Sequence, residues 1–251
     1  MGDETTNDER TNDDGPPKFR LTERDEEILE HLRRYRISTK EVLHGLFFED
    51  SEPAAVLKVM RRLTQVGLAS THNPDGLPQY FRVGPEYIRL RGLSRKSCYP
   101  HGVQALPIHL GILLLCCTGD RRPERLTNSE IARNNPKILL GKKSRVNYLR
   151  FLNPTTEKNE LCIGRVDLGG PPHHVARQCE KDIERLSKNE AILALMLNGQ
   201  FAMEVVTVSL EKAEQIAESI RGRKFAVPFR LSVEPSLAPY IVRLPTSRFP
   251  S

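Results

Sequence analysis

The chain predicts an α+β protein: three short helices and a strand pair, then an α/β domain with a mixed sheet. Three observations carry this. Between residues 22 and 68 lie three amphipathic segments with apolar residues spaced three or four apart. Asn73-Pro74-Asp75-Gly76 then supplies turn chemistry between two strand-like runs. From Tyr148 onward, strand-like and helical patterns alternate in the order β-β-α-β-α-β.

The first helix is expected in LTERDEEILEHLRRYR, where Thr22 caps and acids crowd the positive end of the helix dipole. Ile28, Leu29, Leu32 and Tyr35 form its buried stripe. In ISTKEVLHGLFF, Ser38 and Glu41 have capping-box spacing, and Val42, Leu43, Leu46 and Phe47 make the apolar face. Ser51 is the expected cap of a third helix, with Pro53 in its first turn, where a missing N–H costs nothing. Gly67 ends that helix. The runs LAST and QYFRV then flank HNPDGLP as a hairpin. Three helices followed by a hairpin is the order of a winged helix-turn-helix.

A short helix is expected from Pro85 to Arg91, and a largely buried one across 103–118, serving as a bridge, a dimer element or core. Gly119 to Pro123 reads as a linker, and Thr127 starts a small capped helix. YLRFL and ELCIGRVDLG are strands joined by the polar loop Asn153 to Asn159. Val175, Cys179, Ile183 and Leu186 mark a helix, FAMEVVTVS a strand, and VPFRLSVEP the final strand. Between these last two strands, Ser209 caps LEKAEQIAESIR and Gly222 stops it. The run AILALML fits helix or strand equally, with Asn198-Gly199 suiting a hairpin turn after it. The domains are therefore an acidic disordered tail at 1–20, a winged helix-turn-helix at 21–100, a connecting helix and linker at 101–123, and an α/β domain at 124–251.

Charge narrows the partner. The formal net charge is +6, yet six acids against Arg10 alone leave residues 1–17 at −5, so the remainder carries +11. That excess favours an anionic partner without choosing among nucleic acid, membrane surface and acidic protein. The five cysteines are odd in number and form no CxxC pair, which argues against a disulfide framework or zinc cluster and for a reducing, cytoplasmic setting. The polar N-terminus is no signal peptide. The apolar run Leu110 to Cys117 is far short of the ~20 residues a membrane span needs.

The stretch VLKVMRRLTQVGL places Val56, Val59, Met60, Leu63 and Val66 on one face and Lys58, Arg61, Arg62 and Gln65 on the other. Arg and Lys suit phosphates and guanine edges, and Gln suits adenine. On a helix in this position those residues are the expected DNA contacts, supported by Lys40, His72, Asn73 and Arg82. Arg89, Arg91, Arg95 and Lys96 add basic surface. His173, His174 and Cys179 match no closed tetrahedral metal motif. No Gly-rich phosphate loop, GxSxG or HExxH occurs, so nucleotide, esterase and protease readings have no anchor.

Three segments, LTERDEEILEHLRRYRISTKEVLHGLFF, AVLKVMRRLTQVGLAS and LPIHLGILLLC, resemble the replication-relaxation family across residues 21–118. The resemblance implies an N-terminal winged helix that binds double-stranded DNA in plasmid or mobile-element replication or relaxation, or in transcription regulation. It implies a replication or transcription protein as a further partner, and a second half similar to the restriction-endonuclease core. Active nucleases of that core use an acid on one strand and an acid-x-Lys on the next to hold a divalent metal. Asn147 stands at the first position, Asp167 at the second, and Gly169 where the Lys belongs. The expectation is a silent nuclease relic with no catalytic residues, metal or cofactor. The alternatives are a metal-dependent nuclease using Asp167 with Glu180 or Glu204, and a protein-interaction scaffold. A homodimer stays open, and a membrane partner is not expected.

Overall fold

The computed structural model describes residues 20–119, 121–140, 146–223 and 225–241. The expected acidic tail at 1–20 lies, apart from Arg20, outside the described residues. The protein is mixed α and β, with one two-stranded and one five-stranded sheet among the described residues.

The N-terminal part contains α1 (Glu23–Tyr35), α2 (Lys40–Phe47) and α3 (Ala54–Gln65), then the antiparallel strands β1 (Ala69–His72) and β2 (Tyr80–Val83). Thr22 caps α1 through a reciprocal box with Asp25. The second helix departs from expectation. Thr39, not Ser38, accepts the Val42 N–H, while Ser38 is buried, exchanges backbone hydrogen bonds with Phe81 and bonds His31. Only Val42 and Leu43 of its expected apolar face are buried, and Leu46 is 41% exposed. Ser51 does not cap α3: Pro53 occupies the capping position, without a side-chain hydrogen bond. Gly67 at φ +73 ends the helix, where a left-handed turn favours glycine. Ile28, Leu29, Leu32, Leu43, Val56, Met60, Leu63 and Phe81 meet in one core.

After α4 (Pro85–Arg91) comes α5 (Ala105–Cys117), on which Leu110, Ile112, Leu113, Leu114, Leu115, Cys116 and Cys117 are all buried. A helix apolar around its full circumference must be covered on every side. Tyr35, Ile37, Val42 and Tyr80 cover it from the N-terminal part, and Leu149, Cys162, Val166, Ala202 and Val206 from the second sheet. The expected bridge is thus also core.

The second sheet runs β3 (Glu124–Arg125), β4 (Asn147–Leu152), β5 (Asn159–Val166), β6 (Phe201–Thr207) and β7 (Phe229–Val233) in spatial order. β3, β4 and β5 pair antiparallel, while β5, β6 and β7 pair parallel. The opposite face from α5 is covered by α7 (Pro172–Leu186), α8 (Glu190–Leu197) and α9 (Leu210–Arg221). Between β3 and β4, α6 (Asn128–Asn134) starts on the expected Thr127 cap. The ambiguous AILALML is α8, capped by Asn189, and Asn198-Gly199 ends that helix instead of turning a hairpin. The expected linker is also more than a connector, since Arg121 pairs with the buried Glu204.

Close approach of α5 to the sheet depends on two glycines. A Cβ on Gly111 would sit 2.7 Å from Val166 Cγ2, and one on Gly164 would sit 2.5 Å from Ile112 Cδ1. Both lie under the 3.0 Å that Cβ atoms tolerate. Replacing Gly111 by Val is expected to overpack this contact, costing about 2 kcal/mol and lowering Tm by roughly 4–8 °C in calorimetry.

Candidate nucleic-acid interface

On α3 the apolar residues Val56, Met60 and Leu63 face the core, leaving Ala54, Leu57, Lys58, Arg61 and Gln65 exposed. Residues 54, 58, 61 and 65 follow the three-four spacing of one helix face. That face carries two cations, an amide and the partly exposed Leu57, and no carboxylate. These are the group types that bind phosphates, adenine edges and a thymine methyl.

Arg62 does not belong with them. Its Nη2 donates to Asp25 Oδ1 and Oδ2 at 2.5 and 2.6 Å, and Asp25 is only 1% exposed. Asp25 therefore closes the α1 capping box while it anchors α3 to α1. One helical step from Arg61 turns Arg62 toward α1, where it pairs with Asp25 while its side chain stays partly exposed.

The hairpin lies against the end of α3, where Thr64 Oγ1 and Thr71 Oγ1 are 3.3 Å apart. Its loop closes through the Leu77 N–H to the Pro74 carbonyl, with Gly76 at φ +62. Asn73 is exposed and its Oδ1 accepts from Gln79 Nε2 at 2.8 Å, which orders the loop tip. His72 turns inward: it is half-buried, stacks on Tyr80 at 5.1 Å and bonds Ser70, and burial lowers its pKa below the usual imidazole value. Arg82 is 4% exposed, and its Nε donates to the Arg36 carbonyl at 3.0 Å. Burial pushes its pKa down to about 10. Lys40, in the first turn of α2, is partly exposed. The structure thus brings Lys58, Arg61, Gln65 and Asn73 to exposed positions, leaves Lys40 at the margin, and commits Arg62, Arg82 and His72 to internal contacts.

The acids of the nuclease alternative do not converge. Asp167 accepts from the Gly169 N–H at 3.0 Å and from Thr207 Oγ1 at 3.1 Å, which fixes the turn after β5. Glu204 pairs in register with Gly164, so strand alternation sets it on the opposite face from Asp167. There it lies between Arg121 and Arg230, at 3.1 and 3.4 Å. Burial raises its pKa, against the pull of those two cations. Glu180 pairs with Arg223. Asn147, at the other position, accepts from Arg125. Among the described residues no group of three or more His, Cys, Asp and Glu could hold a metal ion. His174 Nδ1 contacts Arg177, and Cys179 is fully buried between α7 and the sheet. No helix among the described residues is long and apolar enough to cross a membrane.

The chain matches no protein-family model, no curated protein and no solved structure.

The different roles of two adjacent arginines are measurable. Arg62→Ala strands the buried Asp25 carboxylate and is expected to cost about 2 kcal/mol, less than a fully buried pair because the guanidinium is partly solvated. Thermal unfolding should show a fall of roughly 4–8 °C for Arg62→Ala and less than about 1 °C for Arg61→Ala.

Proposed function

We propose that the protein binds double-stranded DNA through its N-terminal part, read as a winged helix-turn-helix in which α3 enters the major groove and the hairpin is the wing. The observation that carries this is the exposed face of α3, which presents Lys58, Arg61 and Gln65 uninterrupted by any carboxylate. The groove accepts one α-helix, and these side chains match its phosphates and base edges. Asn73 at the hairpin tip and Lys40 on α2 are the supporting contacts. Arg62 and Arg82 serve the scaffold.

The resemblance to the replication-relaxation family supports a role in plasmid or mobile-element replication or relaxation, or in transcription regulation. On the same reading the second sheet is a restriction-endonuclease-like scaffold without nuclease activity. Its carboxylates are spent on turns and ion pairs, and the Lys of the acid-x-Lys pattern is Gly169.

Lys58→Ala combined with Arg61→Ala tests the assignment by gel retardation and fluorescence anisotropy. Two lost contacts should weaken duplex binding at least about 30-fold. Tm should stay unchanged, because neither side chain has a buried partner. Binding that survives in the double variant removes α3 as the contact surface. The same preparations should leave plasmid DNA uncut in Mg²⁺, and cleavage lost in Asp167→Asn would restore the nuclease alternative.

A further inference from the structure

A second basic surface lies away from α3. Between the C-terminal end of α1, β2 and the β3–α6 segment is a cleft of about 510 Å³. Its lining includes Arg36, Arg82, Lys96, His101, His109 and Arg125, and contains no Asp or Glu. Arg33 and Arg34 also reach it but are neutralised from outside, Arg33 by Glu30 and Arg34 by Glu124 and Glu130. Arg36, Arg82, Lys96 and Arg125 have no carboxylate partner among the described residues.

Two of these cations are built into the wall. Arg125 is 5% exposed and donates to the Tyr35 carbonyl at 2.8 Å and to Asn147 Oδ1 at 3.3 Å. Arg82, equally buried, donates to the Arg36 carbonyl. Both are held by neutral acceptors, so their charges are desolvated without being cancelled. Arg36 takes a left-handed φ of +67, a conformation uncommon outside glycine. Its carbonyl accepts from both Arg82 and His101, which fixes it there.

Two imidazoles share this environment. The His101 and His109 rings lie 4.4 Å apart, and burial, reinforced by nearby arginines, pushes His101 down to about 4 and His109 to about 2. His109 Nδ1 is buried without a hydrogen-bond partner among the described residues. The cleft thus joins two buried and two exposed uncancelled cations beside an unpartnered imidazole nitrogen, a setting that favours an anion.

We propose that this cleft binds a small phosphate-bearing ligand, held by Arg36, Lys96 and the two buried arginines. Phosphate offers several charged acceptor oxygens to the fork-shaped guanidinium groups, and several cations converge here. The volume falls within the range of small-ligand sites. The cleft also lies at the opposite end of α1 from the Arg62–Asp25 pair, about 16 Å along the helix axis. Its walls come from both halves of the chain, so the bound anion tightens their contact. The proposal is independent of the DNA reading.

Inorganic pyrophosphate is the probe, with sodium chloride at matched ionic strength as the control. Pyrophosphate at saturation is expected to raise Tm by about 5 °C over chloride. The rise should vanish in Arg36→Gln with Lys96→Gln, whose side chains are exposed, and persist in the Lys58→Ala, Arg61→Ala variant. Imidazole nitrogen NMR provides a second readout on the unaltered chain. Pyrophosphate should move the His101 and His109 signals while leaving exposed His173 unchanged. Equal stabilisation by chloride, a rise retained in the Arg36, Lys96 variant, or unmoved His101 and His109 signals overturns the proposal. So does a loss of duplex affinity in that variant without any pyrophosphate effect, which would assign the cleft to the DNA path.

Discussion

The rest of the molecule is arranged around the burial of α5. This helix has no polar face, so a single flat partner would leave part of its circumference in water. The chain covers it twice, with Tyr35, Ile37, Val42 and Tyr80 on one side and the sheet on the other. Gly111 and Gly164 leave the room that Val166 and Ile112 fill where helix and sheet meet. Once α5 is in place, the end of α1 must lie beside β3. There Arg34 donates to the Arg125 carbonyl and Arg125 donates to the Tyr35 carbonyl, each chain segment satisfying the other. The basic cleft is the space left beside that exchange.

Positive charge in this chain does two jobs that composition cannot separate. Arg62, Arg121 and Arg230 hold buried carboxylates, and Arg82 and Arg125 hold carbonyls. These cations are fixed, and substituting one leaves a buried acceptor without its donor. Lys58 and Arg61 have no such commitment and keep their charge in solvent. The difference matters for function, because long-range attraction to an anionic polymer comes from charges that the protein itself has not cancelled.

Local signals proved legible where a residue acts on its own neighbours. Thr22, Thr127 and Ser209 cap the helices their spacing indicates, Gly67 stops α3, and the loop between β4 and β5 starts at Asn153 as read, with Asn159 already in β5. Contacts decided at long range were not legible. Ser38 has capping spacing, yet pairing with Phe81 and a bond to His31 claim it, and Thr39 caps instead. Arg62 looks like Arg61 in sequence, and only the position of Asp25, 37 residues away, separates them. The two-residue β3 carries no periodicity, and AILALML has none that favours helix over strand until the Asn189 cap is seen. The cleft was invisible for the same reason: Arg36, Arg82, His109 and Arg125 are scattered in sequence and converge only after α5 is buried.

The central claim is that uncancelled cations on α3 bind DNA while the chemically similar arginines beside them hold the scaffold. The salt dependence of duplex affinity tests it most directly, measured for the unaltered chain and for Lys58→Ala with Arg61→Ala. Each phosphate contact releases counterions, so the plot of log affinity against log salt should be steep for the unaltered chain. In the double variant it should be shallower by about 1 to 2. Identical slopes in the two proteins, or binding that does not respond to salt, would contradict the account.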